Sequence, residues 1–223
     1  MQVQPAITSK TLTERSRAEL AELLPAEYRY FKSYQHFRVP FDDGAAYLSI
    51  NAVTHGSGVY YLAFYLGTRV ESLQDRIGAV LGEPRRARHH ERNISCYSVN
   101  IGPSSPHWPY PIRANWALES LADFETHAEQ IRTFIMDLAV PFLSSHRTPE
   151  AIRHTLLETP GHTINFEPYK EILIASLMNG DPARLLEDVA RLERTYATSV
   201  DSYRAGFEHV RDRVLQYAKS GGT

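Results

Sequence analysis

Hydrophobic residues recur along this chain with two periods, and the switch between them lies near its middle. Over residues 31–41 the period is two. Phe31, Phe37, Val39 and Phe41 fall on one side and Tyr34, His36 and Arg38 on the other, as in a half-buried strand. Asp42-Asp43-Gly44 reads as a turn, and residues 47–54 alternate again with Leu48, Ile50 and Ala52 on one face. His55-Gly56-Ser57-Gly58 makes a short hairpin loop. The unbroken apolar run over 59–66 then predicts a central strand. A helix is expected over 70–81 and a fourth strand over 94–101. Ahead of the sheet, Thr11-Leu-Thr-Glu is a capping-box pattern that opens a helix over 11–24. Leu12, Leu20, Leu23 and Leu24 form its face, and Pro25 stops it.

In the second half the spacing becomes three and four. Leu121, Phe124, Ala128, Ile131, Ile135, Leu138 and Phe142 trace one long amphipathic helix, with a kink expected at Pro141. Thr148-Pro149, Glu167-Pro168 and Asp181-Pro182 each place a proline at a first helical position. Leu185, Val189, Leu192 and Tyr196 form one apolar face; Tyr203, Phe207, Val210, Val214 and Tyr217 form the next. That last stripe must be covered, either by the preceding helix or by a second copy of the chain. The hairpin is the expectation, so a monomer or a weak homodimer. The pattern therefore predicts an α+β fold: a mostly antiparallel four-stranded sheet packed by a long amphipathic helix, followed by a C-terminal helical part. The expected division is a sheet-and-helix domain over 1–157 and a helical extension over 158–223.

Composition narrows the classes. A chain of 223 residues buries enough surface to fold without a metal or disulfide staple. The lone Cys96 cannot form an internal disulfide, which favours a reducing compartment. No charged-then-apolar leader is visible at the start, and the longest apolar run is too short to cross a bilayer. A cytoplasmic protein with no membrane partner is expected. The formal charge of −2 gives no overall attraction to nucleic acid, so none is expected as a partner either. Only Lys10, Lys32, Lys170 and Lys219 are lysines, the other cations being arginines.

Catalytic signatures are missing from the spacing. Gly56-Ser57-Gly58 lacks the pattern of a nucleophile elbow, and no glycine-rich loop ends in Lys-Ser/Thr. None of the ten histidines has a histidine partner three or four residues away, and the adjacent His89-His90 would project apart. No cofactor and no metal site is expected. An acid–base pair distant in sequence would leave no such trace.

Two stretches carry binding chemistry. Arg85-Arg86-Ala87-Arg88-His89-His90-Glu91-Arg92 sets four arginines in eight residues, and Arg85, Arg86 and Arg88 would suit an acidic surface or a phosphate. The alternative is a solvated connector. No aromatic residue interrupts the run, as stacking on nucleic acid would want. The second stretch, GPSSPHWPYPIRANW over 102–116, holds both tryptophans and four prolines. The prolines stiffen it in advance, and Trp108, Tyr110 and Arg113 have the composition of an interface hot spot. Trp116 is expected to anchor the arm in the core, and Trp108 to be its exposed half.

A strand pair with a short hairpin, a charged connector and a further strand precede Arg113-Ala-Asn-Trp116, which leads into a helix ending Ala139-Val-Pro141-Phe142-Leu143. This succession resembles a family of bacterial domains of unknown function, over roughly residues 24–157. The resemblance implies a small stand-alone cytosolic protein, and similar ones are suspected of serving as immunity or inhibitor proteins beside toxins. It supplies no catalytic residues, and the helices from Pro168 onward lie outside it. The leading expectation is a non-catalytic cytosolic module that binds another protein, a toxin being the candidate partner. An enzyme working from the sheet face with His36, Tyr34 and Arg38, or a homo-oligomeric scaffold, are the alternatives.

Overall fold

The computed structural model describes residues 8–54, 59–83, 94–97, 116–118, 121–158 and 167–221. It has the expected α+β architecture. Six strands form one sheet: β1 (Arg29–Phe31), β2 (His36–Phe41), β3 (Gly44–Thr54), β4 (Tyr60–Val70), β5 (Ile94–Tyr97) and β6 (Trp116–Leu118). Their order is β1-β2-β3-β4-β5, with β6 antiparallel to β4. The helices are α1 (Ser9–Leu23), α2 (Glu71–Leu81), α3 (Leu121–Phe134), α4 (Val140–Ser145), α5 (Pro149–Glu158), α6 (Pro168–Asn179), α7 (Pro182–Tyr196) and α8 (Asp201–Lys219). Among the described residues, no helix is long and apolar enough to cross a membrane.

The chain divides into two compact units, each assembled from separate stretches. The first comprises Met1–Pro40, Ala46–Gly67 and Cys96–Ser144; the second comprises Phe41–Ala45, Thr68–Ser95 and Ser145–Thr223. The division expected after residue 157 falls at the C-terminal end of α5, inside the second unit.

In the first unit, the cap of α1 lies three residues ahead of the Thr11 that its sequence pattern suggests. Thr8 is the N-cap: its hydroxyl accepts from the Thr11 N–H at 3.1 Å, and the Thr11 hydroxyl lies 3.0 Å from the Thr8 N–H. The threonine pair at 8 and 11 therefore does what Thr11 and Glu14 were expected to do. Buried α1 residues Leu12, Thr13, Ser16 and Leu20 mark its inner face. Two hydrogen bonds fix α1 to β3: Ser9 Oγ donates to the Ala52 carbonyl at 2.5 Å, and the Ala52 N–H donates to Thr13 Oγ1 at 3.0 Å. Leu48, Ile50, Leu62, Phe64 and Leu66 are all essentially inaccessible, and the Phe64 ring meets Phe134 of α3 at 4.8 Å.

The expected kink at Pro141 takes a different form. Residues Ile135–Ala139 make a π-helical turn, closed by the Val140 N–H donating to the Ile135 carbonyl. Widening by one residue lets the chain pass a proline that has no N–H to give to the turn before it. The insertion also shifts the buried stripe. Ile131 and Ile135 are buried as expected and Phe134 joins them, but Ala139 and Leu143 follow where Leu138 and Phe142 are expected. Leu138 is only half-buried.

The second unit is built round α6, whose buried residues run unbroken from Ile172 to Leu177. A helix apolar on every side must be surrounded, and α5, α7, α8 and α2 all pack on it. The α8 stripe is covered inside this unit: Phe207, Val210 and Val214 are buried, and α8 packs chiefly on α6 and α2, less on α7. The hairpin partner foreseen for α8 is thus the minor one. Gly206 allows this approach, since a Cβ there would lie 2.5 Å from the Tyr169 hydroxyl.

No side chain of its own caps α2. Asp43, in the turn between β2 and β3, does so from a distance. Its carbonyl accepts from the Glu71 N–H at 2.8 Å, and its carboxylate accepts from the Ser72 N–H at 3.0 Å and from the Ser72 hydroxyl. Gly44 is required beside it, because a Cβ would sit 2.0 Å from the Arg69 carbonyl oxygen. Asp43→Ala should cost about 1 kcal/mol, as loss of an N-cap acceptor does. Asp43→Asn should recover most of that in urea unfolding; if it does not, the capping role is wrong.

Candidate functional site

Pro25 ends α1, and the chain returns as the hairpin β1–β2 in the register Arg29↔Arg38, Tyr30↔Phe37, Phe31↔His36. The single strand expected over 31–41 is therefore interrupted. The Tyr34 N–H donates to the Phe31 carbonyl at 3.1 Å and Gln35 takes φ 52°, so the chain reverses over Lys32 to Gln35. The reversal puts Phe31 across from His36 instead of in line with Phe37 and Val39. Phe37 and Val39 go inward; all three β1 residues stay exposed.

What results is a surface of rings and cations. Tyr30, Phe31 and Tyr34 are 38 %, 36 % and 46 % exposed. Arg17 lies over the Tyr30 ring at 5.7 Å and donates to Gln35 Oε1 at 3.0 Å. Arg38 lies over Phe31 at 5.8 Å and over Tyr47 at 6.0 Å. Phe31, Arg38, Arg29, Glu27 and Pro40 line a cavity of about 370 Å³.

The alternative catalytic trio is brought together, but as packed rings. His36 is buried, stacked on Tyr34 at 5.7 Å and met edge-on by Tyr47 at 5.0 Å. These contacts are made through ring faces and edges. The residues singled out as binding candidates, Arg85, Arg86, Arg88, Trp108, Tyr110 and Arg113, lie outside the described residues. Trp116 begins β6, and the long helix starts at Leu121.

A second polar cavity, about 520 Å³, lies in the second unit and is lined by Arg153, Arg184, Arg191 and Arg194 with Glu158, Asp181, Glu187 and Asp188. Most of its arginines are already answered by carboxylates. Arg153 donates from Nε to Asp188 Oδ2 at 2.5 Å and from Nη2 to Oδ1 at 2.6 Å. Arg184 pairs with Glu150, and Arg191 with Glu158 at 2.7 Å. These three rungs run between α5 and α7. The middle one is buried; Ser176 of α6 accepts from Arg153 at 3.0 Å and donates to Asp188. Burial works to lower the Arg153 pKa, but the Asp188 hydrogen bond and the charges of Asp188 and Glu150 outweigh it and raise it. Hydrogen bonding to Arg191 holds the exposed Glu158 below its ordinary value. The ladder is a device for holding two helices in register. Among the described residues, no cluster of three metal-ligating side chains occurs.

Nearby, Tyr169 and Tyr196 meet at 5.3 Å beside Phe207. Burial, then the hydrogen bond to Glu167, pushes the Tyr169 phenol well above the ordinary 10.0; burial also raises Tyr196. The fold thus favours the neutral phenols. Their contribution is complete below pH 10.0 and is lost as pH rises past it, because the unfolded chain ionises first. Thermal melts should fall as pH climbs beyond that value, and less so in Tyr169→Phe. Equal slopes for the two proteins would contradict the assignment.

The sequence offered a signal for each feature that spacing rules passed over. Arg29-Tyr30-Phe31-Lys32 interleaves cations and rings just after a helix stop. Asp188 stands among Leu185, Val189 and Leu192, a lone acid on an apolar stripe that demands a cation. No family profile, curated protein or solved structure matches this chain.

Proposed function

We propose that this protein is a non-catalytic module that binds another protein, with the β1–β2 hairpin as its docking surface. The observation that carries the reading is the exposure of Tyr30, Phe31 and Tyr34 on one hairpin, beside Arg17 and Arg38. Rings and arginines held in place dominate the energy of protein interfaces, and their ordering is largely complete before a partner arrives. Cytosolic residence and an immunity or inhibitor role are parts of this proposal.

The test is affinity capture from the native host, read by mass spectrometry with the intact chain and a Tyr30→Ala/Phe31→Ala variant. One protein at near-stoichiometric yield should be retained by the first and lost by the second, with melting temperature changed little. Retention by both would overturn the hairpin as the docking surface. Recovery of a bound metabolite in place of a protein would overturn the class.

A further inference from the structure

The hairpin's chemistry specifies its partner more closely, on the reading that the hairpin is the docking surface. We propose that the partner contributes an extended acidic segment that adds as a strand alongside β1 and places a carboxylate in the cavity between Arg29 and Arg38.

Three observations converge. First, β1 ends the strand order, and among the described residues β2 is its one neighbour. An edge strand offers N–H and C=O groups to an incoming strand. Second, exposure occurs on both faces of this short strand. Successive side chains alternate, so Phe31 shares a face with Arg38 while Tyr30 packs on Phe37 at 5.1 Å on the other. A strand laid beside β1 would alternate likewise, meeting Phe31 with one side chain and Tyr30 with the next. Third, charge is lopsided. From Glu27 to Pro40 there are three cations, Arg29, Lys32 and Arg38, against the single carboxylate of Glu27, in a chain whose net charge is −2.

The cavity sharpens this. Arg38 Nε is buried and has no hydrogen-bond acceptor among the described residues, and Arg38 is one of the residues lining the cavity with Arg29 and Glu27. A buried guanidinium N–H without an acceptor is costly, and a carboxylate is the acceptor its fork fits best. Single-stranded nucleic acid is the less suitable ligand. Successive bases need rings in one row, whereas Tyr30 and Phe31 point to opposite sides of the sheet.

The probes are an alternating hexapeptide, Glu-Thr three times over with blocked ends, its Gln-Thr counterpart, and a ten-residue oligothymidylate. Amide resonances of the intact protein report the site. The Glu-Thr peptide should shift the amides of Arg29, Tyr30 and Phe31, and the Gln-Thr peptide should bind at least tenfold more weakly. Arg38→Gln should weaken the acidic peptide at least tenfold. Arg29→Gln, at an exposed position where folding is not at stake, should weaken it severalfold. No binding of the acidic peptide, equal binding of both peptides, shifts confined to other elements, or tighter binding of the oligothymidylate would each overturn the proposal. If Arg38→Gln still captures the native partner while Tyr30→Ala/Phe31→Ala loses it, the docking surface stands and the acidic strand does not.

Discussion

Asp188→Ala is expected to destabilise the protein by about 3–5 kcal/mol, far more than any exposed ion-pair variant. The substitution would leave the guanidinium of Arg153, a buried residue, with Glu150 as its remaining charge partner. Ser176 would lose the acceptor for its hydroxyl at the same stroke, though it can still donate to the Ile172 carbonyl at 2.9 Å. A charge stripped of its counter-ion inside a fold costs several kcal/mol because water cannot take the partner's place. Glu158→Ala removes a rung of the same ladder, but both side chains of that pair are at least two-fifths exposed, so its effect should be small beside that of Asp188→Ala. Arg153→Met/Asp188→Leu should restore most of the stability, since an apolar pair of similar size avoids the desolvation altogether. Urea unfolding of the three variants is the measurement. A loss under about 1 kcal/mol for Asp188→Ala would show that water reaches the middle rung.

Phe64→Ala should cost about 3–5 kcal/mol. Phe64 is fully buried on β4 between Leu62 and Leu66, which are equally inaccessible, and its ring lies against Phe134 of α3. Truncation removes the ring's transfer energy and leaves a void that the sheet and a helix locked by its π-turn can fill only in part. Calorimetric or urea unfolding checks it, and a change below about 1 kcal/mol would place Phe64 away from the core.

Much of this was legible in the sequence, because the signals used were local. Alternation over 47–54 and the run over 59–66 gave β3 and β4, whose faces are set by a period of two that burial of one side enforces. The prolines at 149, 168 and 182 marked three helix starts correctly, since a proline costs nothing where no N–H is needed. What escaped was non-local. Residues 31–41 alternate well enough to read as one strand, and only the left-handed Gln35 and the turn bond from Tyr34 separate β1 from β2. The π-turn moved burial from Leu138 and Phe142 to Ala139 and Leu143, a shift no 3.6-residue pattern contains. The hairpin surface escapes for a related reason: it forms only once the chain reverses over Lys32 to Gln35 and sets Phe31 across from His36.

The second unit's construction from three separate stretches bears on how the chain can be made. α2 emerges during synthesis well ahead of α6 and α8, the helices it packs on. At ~5–20 residues per second, that interval lasts roughly five to thirty seconds. Throughout it, Leu73, Ile77 and Val80, buried in the finished protein, await the helices that α2 packs on. Those side chains are what a ribosome-associated holdase would grip. A nascent chain arrested just after residue 144 should therefore bind such a chaperone more tightly than one extended past α8.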